Sequence, residues 1–218
     1  MNKQVTITLL TLALLAPFAA AQSNVSATKK WAWGENIGWI NWRNANNGTQ
    51  GIVIDGTYMK GYAWSENVGW INFGNGTPVG GQHYANNNAS DFGVNIDPST
   101  GHLFGMAWGE NIGWINFDTA PTLINSNQHA RLDLQSRRLR GHAWSENVGW
   151  INLDHNQHYV ALRCPADFND DGVLDIFDVL GFLNAFSAQH SSADLINDGI
   201  YDFFDVQRFL SLYSQGCP

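Results

Sequence analysis

Along this chain, apolar and polar positions alternate in one pattern that returns four times. Ala32-Trp33-Gly34-Glu35-Asn36-Ile37-Gly38-Trp39-Ile40-Asn41 recurs, with few changes, at Ala63–Asn72, Ala107–Asn116 and Ala143–Asn152. The copies start 31, 44 and 36 residues apart, a spacing found in repeat architectures. In each copy aromatic and β-branched residues flank Glu-Asn-x-Gly, which predicts two strands joined by a tight turn with positive-φ residues. Copies one and three read Gly-Glu-Asn-Ile, and copies two and four read Ser-Glu-Asn-Val, the mark of a duplicated pair.

Upstream of three copies lies a further alternating run: Gly51–Asp55, Phe92–Asp97 before Pro98-Ser99-Thr100-Gly101, and Ala130–Leu134. Each unit is therefore expected to hold about three short antiparallel strands, about 12 in all. The first copy is cut short on its N-terminal side. One such unit cannot bury both faces, so the expectation for residues 22–163 is an all-β domain closed as a propeller, barrel or sandwich. The Ser-x-Asn-x-Gly turns at Ser65 and Ser145 resemble the Asp-box hairpin of propeller proteins, with Asn in place of Asp.

The last quarter of the chain changes character. Two runs, Ile176-Val179-Leu183-Phe186 and Phe203-Val206-Leu210-Tyr213, have helical spacing, and each predicts an amphipathic helix with those residues on one face. Charge follows the same division. Residues 1–163 carry ten basic and ten acidic residues, whereas residues 164–218 carry nine Asp and only Arg208, so the whole net charge of −8 lies in this tail. That balance excludes phosphate-driven nucleic-acid binding and points to a cation. With 218 residues, 44% hydrophobic and 14% charged, the chain is neither disordered nor a large multidomain enzyme.

The N-terminus has Lys3, an apolar stretch from Val5 to Leu15, and small residues at Ala19 and Ala21. This is the grammar of a signal peptide over residues 1–21, and its apolar core is shorter than the roughly 20 residues of a membrane span. The mature chain is expected outside the cytoplasm, secreted or attached to a cell surface, with no membrane insertion. In that setting Cys164 and Cys217, at the two ends of the acidic module, are expected to form a disulfide; a thiolate metal pair lacks nearby His or Cys partners.

Asp167-Phe168-Asn169-Asp170-Asp171-Gly172-Val173-Leu174-Asp175-Ile176-Phe177-Asp178 is the most specific segment. Asp167, Asn169, Asp171, Asp175 and Asp178 stand at positions 1, 3, 5, 9 and 12 of a calcium loop, Gly172 at the sharp turn of position 6, and the Val173 carbonyl at position 7. Asp194, Asp198, Asp202 and Asp205 repeat positions 1, 5, 9 and 12, with Gly199 at 6 and the Ile200 carbonyl at 7. Ile196 at position 3 offers no oxygen and Asn197 comes one residue late, so two Ca2+ sites are expected, the first stronger. A shifted second loop or a water is the expected compensation.

This duplicated loop–helix pattern over residues 164–218 resembles a bacterial dockerin domain. The flanking cysteines and the Gly216-Cys217-Pro218 end resemble its cysteine-flanked, GC-type subgroup. The resemblance implies calcium-dependent folding and docking onto a cohesin-like receptor or surface scaffold. Its recognition positions fall on Ile176, Phe177, Phe203 and Phe204, where many dockerins carry small hydroxyl residues.

All ten Trp lie in or beside the four motifs. Trp33, Trp64, Trp108 and Trp144, next to Glu and Asn, are candidates for stacking on a sugar, and a polysaccharide partner is one reading. The other is that the indoles fill the core while Glu-Asn satisfies the turns. Catalytic signals are lacking: Glu35, Glu66, Glu110 and Glu146 are equivalent positions, no Gly-x-Ser-x-Gly elbow or phosphate loop appears, and His155 and His158 beside Asp154 read as a solvated strand end. The expectation is a non-catalytic protein; the alternatives are a carbohydrate-binding component of a polysaccharide-degrading complex and an enzyme whose site these motifs do not reveal.

Overall fold

The computed structural model describes residues 23–216. The leader at 1–21 and Cys217 lie outside the described residues. Fourteen strands form the first part: β1 Val25–Gly34, β2 Gly38–Asn41, β3 Val53–Asp55, β4 Tyr58–Lys60, β5 Tyr62–Ser65, β6 Gly69–Asn72, β7 Val94–Ile96, β8 Leu103–Gly109, β9 Gly113–Asn116, β10 Arg131–Asp133, β11 Arg138–Arg140, β12 His142–Ser145, β13 Gly149–Asn152 and β14 Val160–Leu162. Two helices follow, α1 Ile176–Ser187 and α2 Phe203–Gln215.

Each recurring motif is one hairpin. In the first, Ile37 N–H donates to the Gly34 carbonyl at 3.2 Å, and the three-residue loop 35–37 runs into left-handed Gly38 (φ +72°), the first residue of β2. The equivalent Gly69, Gly113 and Gly149 have φ of +78°, +75° and +79°. Glycine alone supplies the positive φ here; Asn36 and its counterparts do not, contrary to the sequence expectation.

The hairpins join side by side, β2 with β5, β6 with β8, β9 with β12, and β13 back onto β1, closing an eight-stranded antiparallel barrel. Alternation along the strands decides what lies inside. Ala32 pairs across its hairpin with Ile40, Ala63 with Ile71, Ala107 with Ile115 and Ala143 with Ile151, and all eight are buried. Small and branched residues fill an eight-stranded barrel, whose interior is only wide enough for side chains. Ile37, Val68, Ile112 and Val148 close one end; Trp42, Phe73, Phe117 and Leu153 close the other, with the Trp42 and Phe73 rings 4.6 Å apart. The large indoles expected in the core are absent from it, Trp42 excepted, because Trp33, Trp39 and their counterparts fall on the opposite face of the pleat.

Two side chains per motif hold the barrel together. Asn67 Nδ2 donates to the Ile37 carbonyl of the preceding hairpin (3.0 Å), Asn111 to Val68 (3.0 Å), Asn147 to Ile112 (2.9 Å), and Asn36 to Val148 (3.1 Å). Four hydrogen bonds thus run in a closed ring around one rim. At the opposite end the last residue of each motif turns the chain out of the barrel: Asn41, Asn72, Asn116 and Asn152 each accept, through Oδ1, the backbone N–H two residues on, at 2.8–3.0 Å.

Two auxiliary sheets hang on the long strands. β3, β4 and β7 extend from the first half of β8, and β10, β11 and β14 extend from the first half of β1. The strand missing upstream of the first copy is supplied by β14, from the far end of the domain. The expected runs at 51–55, 92–97 and 130–134 contain β3, β7 and β10, but 14 strands replace the expected 12: β4 and β11 each form a local hairpin with the strand before them, and β14 takes the place of the first copy's missing strand.

The acidic tail has its own small core. Phe182 and Phe209 stack at 4.2 Å and 5° between α1 and α2, flanked by Phe168, Val179, Phe186, Val206 and Tyr213. The buried stripe therefore differs from the one read from the sequence: Ile176, Leu183, Phe203 and Leu210 are exposed, and Phe182 and Phe209 take their place. The reason is local. Asp178 and Asp205 face inward to bind the loops, so the residues four positions on share that inner face.

Candidate functional site

Three surfaces carry chemistry. The first is the outside of the barrel, where every hairpin sets two indoles against each other. Trp33 and Trp39 stand at 4.6 Å, Trp64 and Trp70 at 4.9 Å, Trp108 and Trp114 at 4.7 Å, and Trp144 and Trp150 at 4.7 Å. A third aromatic leans on the second indole of each pair: Trp31 on Trp39, Tyr62 on Trp70, Phe92 on Trp114 and His142 on Trp150. Trp39, Trp64, Trp70, Trp108, Trp114 and Trp144 remain 36–40% exposed. The candidate indoles Trp64, Trp108 and Trp144 thus stand at the surface, and Trp33 is half-buried. Sequence reading missed the third aromatic, although Trp31, Tyr62 and His142 share one position, directly before the motif alanine.

Where one hairpin meets the next, the band opens into grooves. One, of about 610 Å3, lies between the first and second hairpins and is lined by Trp31, Trp33, Trp39, Trp64, Glu66 and His158 among others. A smaller one of about 230 Å3 lies between the fourth and first, lined by Trp33, Glu35, Gln128, His142 and Trp150. All four motif glutamates are exposed. His155 and His158 stack on each other at 14° beside Trp39, while Asp154 pairs with Arg138 and Arg140.

The second surface is the pair of acidic loops, and they share one hydrogen-bond pattern. Asp167 Oδ1 and Oδ2 accept the Asp171 and Gly172 N–H groups; Asp194 does the same for Asp198 and Gly199. Asp171 and Asp198 accept from Val173 and Ile200, whose side chains point to solvent. Position 4 is left-handed in both loops, with φ +59° at Asp170 and at Asn197, and Gly172 and Gly199 follow at +85° and +78°. The second loop is therefore not shifted by Ile196, which is simply exposed in the same register.

Asp178 and Asp205 are fully buried. Asp178 accepts the Phe168, Asn169 and Asp175 N–H groups, and Asp205 those of Leu195, Ile196 and Asp202. Burial pushes the Asp205 carboxyl up, but these three N–H groups outweigh it and hold it below the usual carboxylate range. Asp167 goes the other way: burial and the neighbouring Asp178 and Asp170 charges raise it against its two N–H donors. Asp175 and Asp202 also cap the helices, accepting from Phe177 and Phe204 at 2.8 Å. Among the described residues, no three His, Cys, Asp or Glu side chains are drawn together around one point. The carboxylates are turned onto their own backbone. Loop one nonetheless carries an oxygen donor at every position a hard divalent cation needs, Asn169 Oδ1 included, and loop two lacks one at Ile196. Cys164 is buried in the tail core.

The third surface joins the other two. Asp170, which lies between the expected ligands, bonds Arg43 Nη2 at 2.7 Å and accepts the Ala27 N–H at 3.1 Å. Arg43, just after the first motif, also donates to the Val25 carbonyl. Loop one is thereby fastened to the barrel.

Among the described residues, no helix is long and apolar enough to cross a membrane. No known protein family, curated protein or solved structure matches the chain.

Proposed function

We propose that this is an exported, non-catalytic protein that attaches to a cohesin-like receptor or surface scaffold through a calcium-dependent module at residues 164–218, with the barrel as the displayed part. One observation carries the reading. Ile176 and Phe177 at the start of α1, and Phe203 and Phe204 at the start of α2, are 59–69% exposed at matched positions of two loop–helix halves. Large apolar side chains left in water at equivalent sites mark an interaction surface. Calcium, held in loop one by Asp167, Asn169, Asp171, Asp175, Asp178 and the Val173 carbonyl, would fix the loops from which both helices start. The Cys164–Cys217 bridge would staple a core too small to be secure alone.

The test is binding of the full mature chain to a panel of purified cohesin modules, with calcium and then with chelator. Calcium-dependent capture lost in a Phe177→Asp, Phe204→Asp double variant supports the docking reading. Binding to no module by a folded, calcium-loaded tail would overturn it.

A further inference from the structure

We infer that the two grooves flanking the first hairpin form one binding site for a neutral oligosaccharide, running across the outside of the barrel over Trp33. These grooves lie on the barrel, apart from the exposed residues at the helix starts of the tail. Trp33 lines both grooves, so a ligand lying across this indole would reach into each. Each part repeats the same elements: indoles from two adjoining hairpins and one exposed carboxylate, Glu66 in the first and Glu35 in the second. A repeated set of subsites suits a ligand that is itself a repeat.

Charge and ring geometry choose the class. An anion is disfavoured by the two glutamates. A small organic cation needs a cage of ring faces around one point. Here Trp33 and Trp39 meet at 62° with centroids 4.6 Å apart, too close to admit an ammonium group between them. Trp31 already carries the Lys30 Nζ at 5.8 Å from its centroid. What remains is a set of indole surfaces facing water, bordered by carboxylate, amide and imidazole. A pyranose matches that border, with C–H groups on its ring face to lie on an indole and hydroxyls at its rim to donate to Glu66 and Glu35. The site is built on paired strands, and the turn residue Asn67 at its edge is held by the Ile37 carbonyl.

The full mature chain would be titrated, in calcium, with cello-, xylo-, malto- and chito-hexaose and their monosaccharides, following Trp fluorescence and calorimetry. The expected result is saturable binding of one hexaose at least about tenfold tighter than its monosaccharide, weakened about tenfold or more by Trp64→Ala or Trp150→Ala. Glu66→Gln should weaken it less, and Trp108→Ala, on the far side of the barrel, should leave it within about twofold. Thermal melting of each variant reports that the barrel is intact. No saturable binding at about 10 mM sugar, an equal loss in Trp108→Ala, or displacement by choline would overturn the assignment. Loss of receptor docking with sugar binding kept would refute only the docking function.

Discussion

A methyl group placed on Gly34 would lie 2.6 Å from Ile37 Cγ1, and one on Gly109 would lie 2.6 Å from Ile112 Cγ1. In the other two hairpins serine stands at that position and valine replaces isoleucine. The space beside the turn holds either a serine Cβ or the longer isoleucine side chain. The alternation of Gly-Glu-Asn-Ile and Ser-Glu-Asn-Val is thus a packing rule as well as a trace of duplication. Gly34→Ser should cost about 1–3 kcal/mol through overpacking, and adding Ile37→Val should recover most of it. Urea unfolding of the single and double variants checks this; additive losses would refute the shared-space account.

The ring of asparagines predicts a uniform penalty. Asn111→Ala leaves the Val68 carbonyl without its side-chain donor, and the loss of such a hydrogen bond costs about 1 kcal/mol. Melting should fall by about 2–4 °C for that loss, with a similar fall for Asn36→Ala at the seam. A melting curve unchanged by either substitution would show that the ring contributes nothing.

Arg43 and Asp170 predict communication between tail and barrel. Asp170→Asn removes a charge that coordinates nothing in the expected calcium set yet anchors loop one. Hydrogen exchange at the Ala27 amide should accelerate about tenfold, while the amides of β8 and β9, remote from the contact, should keep their protection. Equal exchange at Ala27 in both proteins would mean that the clamp is idle in solution.

Metal removal should act on the tail first. A chelator should melt residues 164–216 at a lower temperature than the barrel, and Asp178→Ala should do so even in calcium, since it removes the acceptor of three loop N–H groups. Calorimetric scans with and without chelator decide; coincident traces would count against calcium-dependent folding. Ile196→Asp should restore the missing donor and bring the second site's affinity toward the first, read by calcium titration.

What the sequence made legible was local. Aromatic and β-branched runs marked the hairpin strands, the glycines marked the turns, and the Asp spacing marked two loops of one design. Which face became the core was not legible, because a short hairpin presents two apolar faces and only closure chooses between them. Closure depends on bonds such as Asn36 to Val148, more than a hundred residues apart, that no local pattern records. The helix faces were misread for a related reason. Their periodicity fits Ile176 and Phe203 as well as it fits Phe182 and Phe209, and the inward turn of Asp178 and Asp205 breaks the tie.

The seam formed by β1, β13 and β14 also sets a timetable. Each hairpin closes a loop of only a few residues and can form within microseconds. Gly34 meets Ile151, and Val25 meets Leu162, only after nearly the whole domain is available. Loop-closure entropy for contacts of such sequence separation must be met before the barrel gains its interior, so folding should be slow for a domain of this size. Until the seam shuts, the outer strands β1 and β13 of the partial sheet each keep one unpaired edge, each carrying an indole, and a newly made chain is most exposed to misassembly in that interval.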